Sequence, residues 1–187
     1  MSKARVEAFS DGVIAILITI MVLEMKIPHR GDWAAFQPLR HVLQAYISSF
    51  VFLGAYWNNH HQLLHLAERI NHRVLWANLH LLFWLSLIPF VSGWMGESHS
   101  APLPTALYGM VLILSALAYT LLQDQICRAH DPGSTTARTL SRDNRSRLSM
   151  LLYVPALPVA FFQPWISDVM FIAVTLITPV PPPRRAI

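Results

Sequence analysis

The sequence predicts an all-helical, polytopic membrane protein, and three observations carry that prediction. Charged residues make up only 13% of the 187 residues, against about 25% in soluble domains. Hydrophobic residues reach 54% and the mean hydropathy is +0.42. This excludes a disordered chain, which needs low hydrophobicity, and leaves too few charges for the wetted surface of a soluble domain. Finally, the apolar residues come in continuous runs rather than in period-two alternation, which selects helices over barrel strands. The whole chain, residues 1–187, reads as a single transmembrane domain.

A bilayer core about 30 Å thick takes about 20 helical residues; of six spans, the third and fourth meet that outright and the others reach it only by recruiting flanking polar residues. The first, 6–27, is built on Gly12 to Leu23, bounded by Asp11 and Glu24. That run alone rises about 18 Å, so its helix must carry Ser10, Asp11 and Glu24 into or near the membrane. The second, 40–60, contains Gln44, Ser48 and Ser49. The third, 74–95, contains Asn78, His80 and Ser86, and the fourth, 103–124, is nearly free of polar groups. The fifth, 147–162, carries Pro155 and Pro158, and the sixth, 165–180, carries Asp168. An Asp168 one turn from the interface is expected to be solvated.

The breaks fall where helix-stopping residues cluster. Pro28, Gly31 and Pro38 separate the first two spans, and Gly93, Gly96, Pro102 and Pro104 the third and fourth. Asp131, Pro132 and Gly133 open a long polar stretch, Gln163–Pro164 makes a tight turn, and Pro181 to Pro183 predict an extended polyproline II tail. Gly54, Gly109, Ser115 and Ala118 are small enough to permit close helix packing.

Basic residues set the orientation. With a cytoplasmic N-terminus and six spans, the inner side holds Lys3, Arg5, Arg69, Arg73, Arg128, Arg138, Arg142, Arg145, Arg147, Arg184 and Arg185. The outer side holds Lys26, Arg30 and Arg40. This predicts a multi-pass protein of the cell's inner (plasma) membrane with both termini cytoplasmic. It accounts for the pI near 9.6 without nucleic acid, and the arginines at 138–147 suit anionic lipid heads. Glu24 and the lack of a small-x-small cleavage site argue against a cleaved signal peptide. Cys127 is the single cysteine, so no intrachain disulfide forms.

On a helix Arg5, Phe9, Gly12, Ile16, Thr19, Ile20, Leu23 and Ile27 fall on one stripe. The segment Arg5-Val-Glu-Ala-Phe9-Ser10-Asp11 resembles the Arg-x-x-x-Phe-Ser-Asp signature of the transmembrane protein 175 family. Trp57-Asn-Asn-His60-His61 resembles the Trp-x-x-His stretch that ends its second helix, and Asn78 with Phe83 to Phe90 resembles its third. The resemblance covers about the first 95 residues; the second half matches in hydrophobicity and span count.

The resemblance implies a potassium-selective or potassium-preferring cation channel, a homotetramer of six-helix chains in the lipid bilayer. It needs no cofactor, metal or catalytic group beyond the permeant potassium ion. The pore of such channels is lined by the first helix and narrowed by bulky apolar side chains. Here these are Ile16, five residues after Asp11, then Ile20 and Leu23, with Thr19 at the pore-side threonine position. The chemistry is compatible: an Ile16 ring gates by dewetting, and threonine hydroxyls replace part of a hydration shell. Glu24 is placed by position at the outer mouth, where carboxylates concentrate cations; the other reading is a solvated carboxylate beside Lys26. Arg5, Phe9, Ser10, Asp11, Trp57, His60, His61 and Asn78 are expected to hold the first helix against the second and third, with Asp11 accepting from neighbouring donors.

Two rival functions rest on the histidines. His61 and His65 stand four apart, a spacing from which two imidazoles reach one metal, so His60, His61 and His65 define a membrane metalloenzyme alternative. Asp11 and His60 define a proton-coupled transporter alternative. Against the metal stand a single cluster and no Glu-x-x-His partner.

Overall fold

Pro28 and Gly31 stop the first helix early. In the computed structural model, which describes residues 2–29, 31–131, 133–142 and 145–177, α1 runs Lys3–Ile20 and tightens into a 3₁₀ turn at Met21–Glu24. Ile27, expected on the helix, lies beyond that turn in non-helical chain, because the residue before a proline is pushed away from helical geometry. A short helix α2, Trp33–Phe36, follows, its first turn capped by Asp32 accepting from the Ala35 amide at 3.0 Å. α3 then runs Arg40–Leu66.

The third span is longer than expected and jointed. Asn71 caps α4, His72–Ser86, by accepting from the Val74 amide at 2.9 Å. The chain passes through Leu87 into α5, Ile88–Glu97. Pro89 is the cause: it brings no amide to the ladder. The Leu87 amide tightens onto the Trp84 carbonyl instead, at 3.2 Å. α6, Pro102–Arg128, places Pro102 and Pro104 in its first turn, where missing amides cost nothing.

The polar stretch after α6 hides an unexpected helix. α7, Thr135–Arg142, is started by Ser134, whose Oγ accepts from the Ala137 amide at 3.1 Å. It buries Ala137 and Leu140, and Gln123 of α6 donates to the Leu140 carbonyl at 2.6 Å. The fifth span is two pieces, α8 (Arg145–Tyr153) and α9 (Ala156–Phe162), parted at Pro155; Pro158 is tolerated in the first turn of α9. α10 is Pro164–Ile177. The expected residues 178–180 of the last span, the polyproline tail and Arg30 lie outside the described residues. No strand occurs among the described residues.

Among the described residues, three stretches are long and apolar enough to cross a bilayer, namely Lys3–Glu24, His72–Glu97 and Pro102–Arg128; two shorter apolar stretches are Arg147–Phe162 and Pro164–Leu176. α3 has the length, but its polar residues, from Gln44 to His61, dilute it.

α6 is the central post. Tyr108, Leu112, Ala116, Leu122 and Ile126 are buried along its length, and α4, α5, α8 and α9 pack around it. Gly109 admits Phe171 of α10 so closely that a Cβ would stand 2.5 Å from its ring. Gly96 does the same where α5 meets α3: a Cβ there would lie 2.7 Å from the Val42 Cα, a backbone atom that cannot yield. Gly54, by contrast, has open space around it within the chain. α1 lies at the edge, packed on α3 and α4.

Candidate pore helix and the polar network behind it

α1 is apolar on two opposite faces, and only one of them is used inside the chain. Val6, Ile14, Leu17 and Met21 are buried, with Ser10 among them. The other face is open along its whole length: Phe9 is 50% exposed, Ile16 61%, Ile20 43% and Leu23 78%. Arg5, Gly12 and Thr19 share it. From Ile16 to Leu23 this face extends about 10 Å, a row of bulky apolar side chains one turn apart. Thr19 sits between them, its Oγ1 donating to the Ala15 and Ile16 carbonyls at 3.0 Å each. The hydroxyl proton is thereby used and the oxygen's lone pairs remain.

Behind this helix the signature residues divide into two groups. In the buried group Asn78 Nδ2 donates to Ser10 Oγ at 2.9 Å, and Asn78 Oδ1 meets His60 Nε2 at 2.7 Å. Because Oδ1 only accepts, His60 carries its proton on Nε2. Ser10, His60 and Asn78 are each at most 2% exposed, so this chain of bonds clamps α1, α3 and α4 in dry surroundings, although the His60 Nδ1 is buried without a hydrogen-bond partner. In the outer group, Trp57 Nε1 donates to Asp11 Oδ1 at 3.0 Å. His61 stacks on Trp57 at 6.0 Å and His65 on His61 at 6.3 Å. Lys3 closes the ladder, donating to the His65 carbonyl at 2.8 Å and pairing with Glu7 at 3.8 Å.

Not every signature residue joins in. Arg5 is exposed, and among the described residues no hydrogen bond or ion pair holds its side chain. Phe9 borders an apolar groove of about 350 Å³ with Trp76 and Leu79 of α4. Glu24 is exposed and lies against Gly93, with its Cγ 3.8 Å from where a Cβ would stand. Lys26 does not neutralise it; Lys26 Nζ pairs with Glu97 at 2.7 Å.

The histidines that suggested a metal do not converge. His60 turns inward to Asn78 while His61 and His65 stack on the outer face of α3, and among the described residues no three His, Cys, Asp or Glu side chains gather around one point. Asp11 and His60 likewise have different partners, Trp57 and Asn78. Neither rival function is favoured by this geometry. The solvated Asp168 is a correction: it is 7% exposed, because the loop after α5 folds over it and Ser100 Oγ donates to its Oδ2 at 2.8 Å. The periodicity of the last span carried no sign of this loop.

Fold and site together define a polytopic helical membrane protein with an apolar face on its first helix left open. Residues 5–89 match the family described as Endosomal/lysosomal potassium channel TMEM175. A protein named as a potassium channel from Chryseobacterium sp. (strain P1-3) is 46% identical over 184 residues, 98% of this chain and 96% of that one. Another so named, from Streptomyces collinus, is 33% identical over 128 residues, covering 64% of this chain and 62% of its own. The crystal structure of a lysosomal potassium-selective channel TMEM175 homologue from Chamaesiphon minutus superposes with a TM-score of 0.84 at 25% identity, covering 94% of this chain and 95% of that one. The chain belongs to the TMEM175 family, whose members are membrane channels rather than enzymes.

Proposed function

We propose that four copies of this chain form a potassium-preferring cation channel whose pore is lined by the open face of α1. The observation that carries the proposal is the doubled apolar character of α1. One face is spent on the protein core, and the other presents Ile16, Ile20 and Leu23, which the described residues leave exposed. Around a four-fold axis these become stacked apolar rings that close the path by dewetting. The Thr19 oxygens between them offer acceptors to a partly dehydrated cation. Glu24, free of Lys26, adds negative charge at the outer mouth. The names of the relatives supply the ion, potassium.

Ser10, Asn78 and His60, with Asp11 and Trp57, serve as the frame that sets the tilt of α1, and so the width of the rings. The channel sits in the inner (plasma) membrane with both termini cytoplasmic, a reading that the asymmetry of basic residues supports. Conduction needs no cofactor beyond the permeant ion itself.

Purified protein in liposomes loaded with potassium tests the reading. A potassium-driven flux well above that of empty liposomes, and above the flux from sodium-loaded vesicles, is expected. Saturable flux that requires a proton gradient would replace the channel with a transporter.

A further inference from the structure

The second half of the chain holds a buried carboxylate that the pore does not use. Asp168 on α10 is 7% exposed. Its Oδ2 accepts from Ser100, while its Oδ1 is buried without a hydrogen-bond partner. No lysine or arginine pairs with it among the described residues. A buried charge is costly unless paired, and an orphaned buried oxygen in a native fold calls for an explanation.

The loop that delivers Ser100 is strained for the purpose. His99 and Ser100 are consecutive non-glycine residues at φ 54° and 55°, a left-handed conformation unfavourable for L-residues that persists where its surroundings over-determine it. The His99 ring packs edge-on against His41 of α3 at 4.9 Å, and the Ser100 amide donates to the Met95 carbonyl at 2.9 Å. Asp168, Ser100, Gln44, Ser48, Tyr108 and His41 line one cavity of about 10 Å³, and α1 contributes nothing to it. That is room for one water-sized species.

We propose that this cavity is a binding site for a single monovalent alkali cation, sodium or potassium, separate from the conduction path. Asp168 supplies the charge, and the oxygens of Ser48, Ser100, Gln44 and Tyr108 supply the hard ligands such ions take. One carboxylate balances one positive charge, whereas a divalent ion would leave a buried excess. His41 adds no positive charge at the rim: Arg40 Nε donates to its Nε2 at 3.2 Å, which requires a neutral ring. A bound ion would tie α3, the loop after α5, α6 and α10 together at one end of the bundle.

Thermal unfolding of the purified protein at constant ionic strength, in sodium, potassium or choline, tests this. With sodium or potassium at ten times its dissociation constant, the wild-type Tm should rise about 4 °C over that in choline. Asp168→Asn should lose that increment. Cations in the pore stabilise both proteins equally, so the difference between them is the readout. Ser100→Ala keeps the carboxylate and should raise the half-stabilising cation concentration roughly tenfold; it serves also if Asp168→Asn does not fold. Equal cation responses in the wild type and the variants overturn the proposal. So does a wild-type Tm that follows pH and ignores the cation, which would make Asp168 a neutral acid beside a water.

Discussion

Ile16→Asn is expected to open a leak. In liposomes the potassium flux should rise roughly tenfold, equivalent to removing about 1.4 kcal/mol from the barrier, and sodium should gain more than potassium. The argument is local. Ile16 is 61% exposed on a face of α1 that the other described residues leave largely open, so the substitution removes little packing within the chain. It replaces a ring that repels water with one that hydrates the path and coordinates ions of either size. Folding and assembly should be unchanged, measured by thermal unfolding and size-exclusion chromatography. An unchanged flux would remove Ile16 from the gate.

Asn78→Leu should act in the opposite manner, on stability before conduction. It is close to isosteric, but it deletes the donor to Ser10 Oγ at 2.9 Å and the acceptor for His60 Nε2 at 2.7 Å. Each of the two buried groups left without a partner costs about 1–3 kcal/mol, so the loss is about 2–6 kcal/mol. It should be read as a lower Tm and a smaller yield of assembled channel. Adding His60→Leu removes one of the orphans and should restore part of the loss, as replacing both partners by apolar groups does. Whatever channel assembles should keep its preference between potassium and sodium. A normal Tm would show that the clamp does not hold α1.

The sequence made the helices legible because hydrophobicity alone decides whether a segment can lie in lipid. It also exposed the frame. Ser10, Asp11, Trp57, His60 and Asn78 are polar residues in apolar runs, and each such residue needs a partner. What the sequence concealed depends on tertiary packing. Periodicity could not separate the two faces of α1, since both are apolar; only the burial of Val6, Ile14, Leu17 and Met21 assigns Ile16 and Leu23 to the open side. Proline positions marked joints without saying which ones break: Pro155 parts α8 from α9, whereas Pro158, three residues later, is absorbed in a first turn. α7 was readable in hindsight from Ser134 followed by Ala137 and Leu140, a cap and an i, i+3 apolar pair. The burial of Asp168 was not, since it is imposed by a loop 68 residues away in the chain.

The account stands on α1 lining the pore. Cys127 is the single cysteine, so in a Cys127→Ser background Ile16→Cys carries one thiol, and silver ion, close in size to potassium, can reach it only along the ion path. Potassium flux in liposomes should then be blocked by silver for Ile16→Cys and unaffected for Val169→Cys, an exposed position on α10. Block at Val169→Cys with none at Ile16→Cys would place the conduction path elsewhere in the bundle.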